Sequence, residues 1–222
     1  MTAGAGTLAG RRLYLCVPDR PDLAQFVEQC ITGGVDVVQL RDKRLEARDL
    51  LRRAQIARDV CAALGVPFIL NDRPDLAVEC GADGVHVGQD DAPPSLARRL
   101  LGAGAIVGLS THAPEELAGA MTESVDYISV GPVVATPTKP GRPGTGLAYV
   151  EAAARTATVP WFVTGAVAPD KVAELVSAGA ERFVVVRYLT EAANPLAAAR
   201  GLRATIEREL EAASRPAGAS SV

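Results

Sequence analysis

The sequence predicts an α/β protein, a single-domain (β/α)8 barrel of the TIM type, on three observations. Short β-branched runs recur along the 222-residue chain, each followed by a helical pattern. Most of these runs are apolar without strict alternation, and no domain-sized linker divides them. The first run, Leu13–Val17, leads into Pro18-Asp19-Arg20 and not into a GxGxxG turn, which disfavours a doubly wound open sheet. Asp36–Arg41, Pro67–Asp72, Gly84–Gly88, Ile106–Ser110, Tyr127–Pro132, Pro160–Gly165 and Arg182–Arg187 follow as strands. Stretches such as Val-Asp-Val-Val-Gln-Leu and Arg-Phe-Val-Val-Val belong to strands buried on both faces, hence to a parallel sheet. Between them, Leu45–Leu64 places Leu50, Ala54, Ala57 and Cys61 on one helical face. Pro114-Glu115-Glu116 and Ala168-Pro169-Asp170 put proline and acids in a first turn, where the helix dipole favours them. Gly33-Gly34, Gly65, Gly81 and Gly179 are expected as left-handed stops before the next strand. The barrel is assigned to residues 11–213. Residues 1–10 and 214–222, small and polar, are expected to be a flexible N-terminus and tail. The long Val134–Gly146 loop reads as a lid.

Composition narrows the function. Apolar residues make up 48 % and charged residues 22 %, globular values that argue against a disordered or fibrous chain. The formal charge is −3 and the pI about 5.5, so no basic surplus exists for a nucleic-acid partner. No uncharged apolar run reaches the roughly 18–20 residues that span a bilayer, and Met1–Gly10 does not read as a secretory signal. A cytoplasmic protein without a membrane partner is expected; whether it forms a homo-oligomer stays open. The four cysteines, Cys16, Cys30, Cys61 and Cys80, form no CxxC pair and read as small buried hydrophobes. Of 23 basic residues only Lys43, Lys139 and Lys171 are lysine. A chain that otherwise uses arginine places lysine where a compact ammonium suits an anion.

Polar residues gather at the C-terminal strand ends, where such a barrel performs chemistry. Strand 2 ends Gln39-Leu40-Arg41-Asp42-Lys43, strand 3 Asn71-Asp72-Arg73, strand 4 runs into His86-Val87-Gly88-Gln89-Asp90-Asp91, and strand 5 into Ser110-Thr111-His112. Gln39 and Arg41 point to the same side, and an arginine fork near Lys43 suits a phosphate or diphosphate; pairing with Asp42 and Glu46 at the surface is the alternative. Asp72 and Asp91 end adjacent strands and suit a hard cation, Mg²⁺ above all; the alternative for Asp91 is capping the helix opening at Ala92-Pro93-Pro94. His86 reads as a packed strand residue more readily than as a base, His112 as either. No nucleophile–His–acid set is present. Gly165-Ala166 after strand 7 and Val186-Arg187 after strand 8 mark a second anion site built on backbone N–H groups.

Taken together, Gln39-Leu40-Arg41-x-Lys43, Asn71-Asp72-Arg73, His86-Val87-Gly88-Gln89-x-Asp91, Gly108-Leu109-Ser110-Thr111-His112, Gly131-Pro132 and Thr136-x-Thr138-Lys139 resemble the thiamine-phosphate synthases, in family order over about residues 11–200. The resemblance implies a transferase of thiamine biosynthesis. It would join hydroxymethylpyrimidine diphosphate to hydroxyethylthiazole phosphate, releasing diphosphate by a Mg²⁺-assisted dissociative path. By match, Gln39, Arg41, Lys43, Asn71, Ser110 and Lys139 would hold the pyrimidine diphosphate, with Arg41, Lys43, Ser110 and Lys139 in catalytic roles. Asp72 and Asp91 would bind Mg²⁺, and Thr136, Thr138, Gly165, Val186 and Arg187 would receive the thiazole phosphate. Family members commonly carry Gly-Gly where this chain has Gly165-Ala166, and a small Ser where it has Arg187. Rival readings are a thiazole tautomerase-like barrel, which would not need the diphosphate and metal residues, a Schiff-base aldolase, and a barrel that binds phosphorylated ligands without turnover.

Overall fold

The computed structural model describes residues 8–135 and 143–215. Eight parallel strands close into one ring in chain order. They are β1 (Leu13–Val17), β2 (Val37–Leu40), β3 (Phe68–Asn71), β4 (Gly84–Val87), β5 (Ile106–Thr111), β6 (Tyr127–Val130), β7 (Trp161–Val163) and β8 (Phe183–Val185). Each lies on the run predicted for it. The helices are α1 (Leu23–Thr32), α2 (Ala47–Ala63), α3 (Pro74–Cys80), α4 (Pro94–Leu101), α5 (Pro114–Ala120), α6 (Leu147–Thr156), α7 (Pro169–Ser177), α8 (Arg187–Thr190) and α9 (Pro195–Ser214). No helix among the described residues is long and apolar enough to cross a membrane.

The strands lack polar alternation because both faces are buried. Leu13, Leu15 and Val17 of β1 pack outward against the helices, whereas Tyr14 faces the barrel interior. On α2 the buried residues are Leu50, Ala54, Ala57 and Cys61, the face predicted. Pro114 and Pro169 open α5 and α7, with Glu115, Glu116 and Asp170 in the first turns. Gly34, Gly65, Gly81 and Gly179 take positive φ as expected. Gly33 does not: it keeps φ −79°, continuing the right-handed turn of α1.

Inside the ring, Tyr14, Val37, Ile69, Ile106, Tyr127 and Phe162 form a separate apolar cluster with Leu8. Leu8 belongs to the segment expected to be a flexible N-terminus, yet it is fully buried there. Sealing the end of the barrel where the strands begin is worth about 1.5–3 kcal/mol for such a side chain, enough to order it. Gly108 of β5 makes room for the Tyr127 ring: a Cβ at that position would stand 2.5 Å from Tyr127 Oη and closer still to two ring carbons. Toward the other end of the strands the interior turns polar, with Gln39, Asn71, His86, Ser110 and Ser129 all nearly buried.

A repeated device ties the N-terminal ends together. Asp36, Asp83 and Asp126 immediately precede β2, β4 and β6, and their carboxylates accept the N–H groups of Leu13 (3.0 Å), Phe68 (2.8 Å) and Val107 (2.8 Å) on the preceding strands. Asp36 also pairs with Arg203 of α9, and the fully buried Asp126 with Arg98 of α4. A buried carboxylate survives only with such partners. Arg182 stands in the corresponding place before β8.

Candidate active site

A cavity of about 310 Å³ opens at the C-terminal ends of the strands. Gln39 and Arg41 both line it, as their alternation requires, while Leu40 packs outward. Asn71, His86 and Ser110 line the same wall region from β3, β4 and β5. Gly165, Ala166, Val186 and Arg187, from the loops after β7 and β8, complete the other side. Gly165 has φ +110°, and an added Cβ would press into the backbone of Pro132 at 2.9 Å, so only glycine fits the turn. Ala166 adopts φ +55°, a left-handed conformation that an L side chain resists.

Beneath the polar wall runs a chain of buried hydrogen bonds. Cys16 Sγ donates to Gln39 Oε1 (3.2 Å), and Gln39 Nε2 donates to Tyr14 Oη (2.8 Å). Tyr14 and Tyr127 share a hydroxyl contact of 2.8 Å, and Tyr127 Oη meets His86 Nδ1 at 2.9 Å. His86 Nε2 lies 2.9 Å from Ser110 Oγ, to which Ser129 Oγ donates at 3.3 Å. His86 is thus the packed, hydrogen-bonded strand residue anticipated. Burial pushes both tyrosine hydroxyls well above the ordinary phenol range, so they remain protonated. Cys30 and Cys61 are buried thiols pushed up to about 12, in keeping with a packing role; Cys16 differs, since it faces the cavity.

Asp72 and Asp91 come together beyond the ends of β3 and β4, near enough for each to shift the other's ionisation. Asp72 adopts φ +62°, which aspartate tolerates better than most residues. Lys43 Nζ reaches it at 2.8 Å. Burial, and then the neighbouring Asp91, raise the Asp72 carboxyl above the usual carboxylate range against the pull of Lys43. Burial also opposes ionisation of Asp91, but hydrogen bonds from Asp72 and from Gly88 N–H (2.7 Å) bring it below that range. Two carboxyls whose proximity pulls their ionisation in opposite directions are a pair that a hard cation would neutralise well; the donor set fits Mg²⁺.

Several alternatives left open by the sequence are decided by this geometry. Asp91 does not cap α4: Pro93 is the N-cap residue, without a side-chain hydrogen bond, and the Asp91 carboxylate folds back to Gly88. Asp42 pairs with Arg44 at 2.8 Å, so it does not occupy Arg41 or Lys43. His112 turns from the cavity to Glu116, whose carboxylate accepts from the His112 backbone N–H (2.7 Å) and lies 2.8 Å from Nδ1. Thr136, Thr138 and Lys139, and with them the centre of the expected lid, lie outside the described residues.

The model of the family described as thiamine monophosphate synthase matches residues 13–189. The chain belongs to that family. A thiamine-phosphate synthase of Thermus thermophilus is 49 % identical over 198 residues, covering 86 % of this chain and 95 % of that protein. One from Thermobifida fusca is 47 % identical over 204 residues, with 88 % and 92 % coverage. A solved thiamine phosphate pyrophosphorylase of Pyrococcus furiosus superposes with a TM-score of 0.81 at 24 % identity, over 94 % of this chain and 98 % of that one, and shares the fold. The chain is therefore an enzyme, a transferase of the thiamine-phosphate synthase family.

Within this family member, sequence reasoning missed Tyr14, Tyr127 and Ser129, all of which line the cavity. The signal was available: the same alternation that pairs Gln39 with Arg41 pairs Tyr127 with Ser129 and places both inside the ring. Thr164, Tyr188 and Glu191 also line the cavity, and no motif marked them.

Proposed function

We propose that this protein condenses hydroxymethylpyrimidine diphosphate with hydroxyethylthiazole phosphate, giving thiamine phosphate and diphosphate. The observation that carries this reading is a single cavity with two anion-seeking sides. Arg41 lines one side, with Lys43 and the paired carboxylates of Asp72 and Asp91 following the ends of the adjoining strands; backbone turns at Gly165 and Val186, with Arg187, form the other. A tautomerase-like barrel would need only one of these sides. A Schiff-base lysine is also disfavoured, because Lys43 is half exposed and ion-paired, not desolvated as an amine nucleophile must be.

In this reading Gln39, Asn71 and Ser110 orient the pyrimidine diphosphate, while Arg41, Lys43 and Lys139 neutralise the charge that grows on the departing diphosphate. Mg²⁺ held by Asp72 and Asp91 would supply Lewis-acid stabilisation of that leaving group. Lys43, on a flexible stem, becomes available to the diphosphate once the carboxylates are otherwise neutralised. The thiazole nitrogen needs no general base, in keeping with a cavity whose histidine is engaged by Tyr127 and Ser110. Thr136, Thr138, Gly165, Val186 and Arg187 receive the thiazole phosphate, and the apolar floor limits water near the cationic pyrimidine fragment.

The test is diphosphate release measured with both substrates, with each alone, and with Mg²⁺ withheld. Release requiring both substrates and Mg²⁺ supports the proposal. Consumption of the thiazole phosphate alone would favour the tautomerase-like reading, and binding without turnover the non-catalytic one.

A further inference from the structure

We infer that the buried run from Gln39 through Tyr14 and Tyr127 to His86 is a one-way relay of hydrogen bonds that holds His86 as the neutral Nε2–H tautomer and sets the polarity of Ser110. Gln39 fixes the direction. Its Oε1 accepts from Cys16, so Nε2 is the group that donates to Tyr14 Oη. A phenol carries one proton. Tyr14, already an acceptor from Gln39, directs its proton to Tyr127 at 2.8 Å, and Tyr127 directs its own to His86 Nδ1 at 2.9 Å. Nδ1 is then an acceptor, and the ring proton sits on Nε2, facing Ser110 Oγ at 2.9 Å. Ser129 also donates to Ser110. With both bonds incoming, the Ser110 hydroxyl proton is turned toward an acceptor other than His86 or Ser129. The opposite order would aim the Tyr14 proton at the amide N–H of Gln39 inside a barrel where Tyr14 and Tyr127 are essentially fully buried.

The rings that carry the relay cannot turn freely. Tyr14 and Tyr127 each meet Phe162 edge-on, with centroids 5.3 and 5.6 Å apart, and Gly108 leaves the Tyr127 ring only the space it fills. Tyr14, Tyr127 and His86 are thus positioning residues that act through Ser110. This deepens the proposed function and rests on it for the kinetic part of the test alone.

The experiment is ¹⁵N NMR of histidine-labelled, full-length protein at roughly pH 8, above the ordinary imidazole range. The chain has two histidines, and His112→Asn identifies the second. The expected wild-type signature is a protonated Nε2 and an unprotonated Nδ1 on His86. Gln39→Glu replaces the terminal donor by a carboxylate that accepts from both Cys16 and Tyr14. It should reverse every bond and move the His86 proton to Nδ1, although two tyrosines stand between the residues. Tyr127→Phe removes the donor to Nδ1; it should abolish the single-tautomer signature and lower kcat/KM about ten-fold. A wild-type proton on Nδ1, or a folded Gln39→Glu protein with the wild-type signature, overturns the inference. If Gln39→Glu does not fold, Tyr127→Phe decides, and persistence of a single Nε2–H tautomer overturns it. The spectra need no substrate. An absence of turnover would therefore sink the proposed function without touching the relay, and the wrong tautomer would sink the relay alone.

Discussion

Replacing Gly108 by alanine is a one-carbon change whose cost follows from the geometry. The new Cβ would lie 2.5 Å from Tyr127 Oη, inside van der Waals contact. The ring has no retreat, because it is fully buried, with Phe162 edge-on and Tyr14 tilted against it. Forcing an extra carbon into a filled core costs about 1–3 kcal/mol. If the ring tilts away it also loses its bonds to Tyr14 and His86, each worth about 1 kcal/mol net. The expected loss is about 3–5 kcal/mol, a large part of the roughly 5–15 kcal/mol available to a domain. At about 2–4 °C per kcal/mol, Tm should fall by roughly 6–20 °C. Urea and thermal unfolding would measure it, with Gly119→Ala, at a helical site with open space around it, as the control expected to be neutral or slightly stabilising. Tyr127→Leu introduced beside Gly108→Ala should recover part of the loss, since it removes the clashing ring. A Gly108→Ala protein that melts with the wild type, or a double variant whose losses simply add, would refute the steric argument.

Three further outcomes are expected. Ala166→Gly relieves the left-handed strain at φ +55° and should raise stability by up to about 1 kcal/mol, read as an increased urea midpoint; an unchanged or lower midpoint contradicts the strain. Asp42 is held below the usual carboxylate range, first by the Arg44 side chain and then by the Arg44 and Asp19 N–H groups. Its folded pKa being the lower one, its stabilisation is complete above about pH 4 and fades as pH falls through the folded value, so Asp42→Asn should flatten the acid limb of stability against pH. An acid limb of unchanged slope would remove Asp42 from that account. If Asp91 holds Mg²⁺ as proposed, Asp91→Asn should raise the Mg²⁺ concentration for half-maximal diphosphate release at least about ten-fold, measured by titration; an unshifted midpoint would take Asp91 out of the proposed metal site.

How far the sequence could be read depended on the range of the interaction. Strand positions and the buried face of α2 were legible because they rest on periodicity within one element. Gln39 and Arg41 were legible for the same reason, two positions apart on one strand. Asp91 was ambiguous because a helix cap and a bond to Gly88 use the same residue type at neighbouring spacings; only the folded turn separates them. The approach of Lys43 to Asp72 links the ends of two separate strands, and the line from Gln39 through two tyrosines to His86 joins strands far apart in the chain. Such contacts depend on the stagger of the closed ring, which no local pattern encodes. Leu8 was misread because a short apolar residue in a polar segment gives no sign of the opening it stoppers.

The ring of strands has a seam. Most neighbouring strands pair over three or more residues, but β7 meets β8 through Val163 and Phe183 alone. The aspartate clamp that ties the earlier strand pairs is replaced at this junction by Arg182. Gly165 and Val186 flank the same junction at the mouth. A phosphate gripped by both turns would act as a rivet across the weakest joint of the cylinder, so that loading the pocket and tightening the wall become one event.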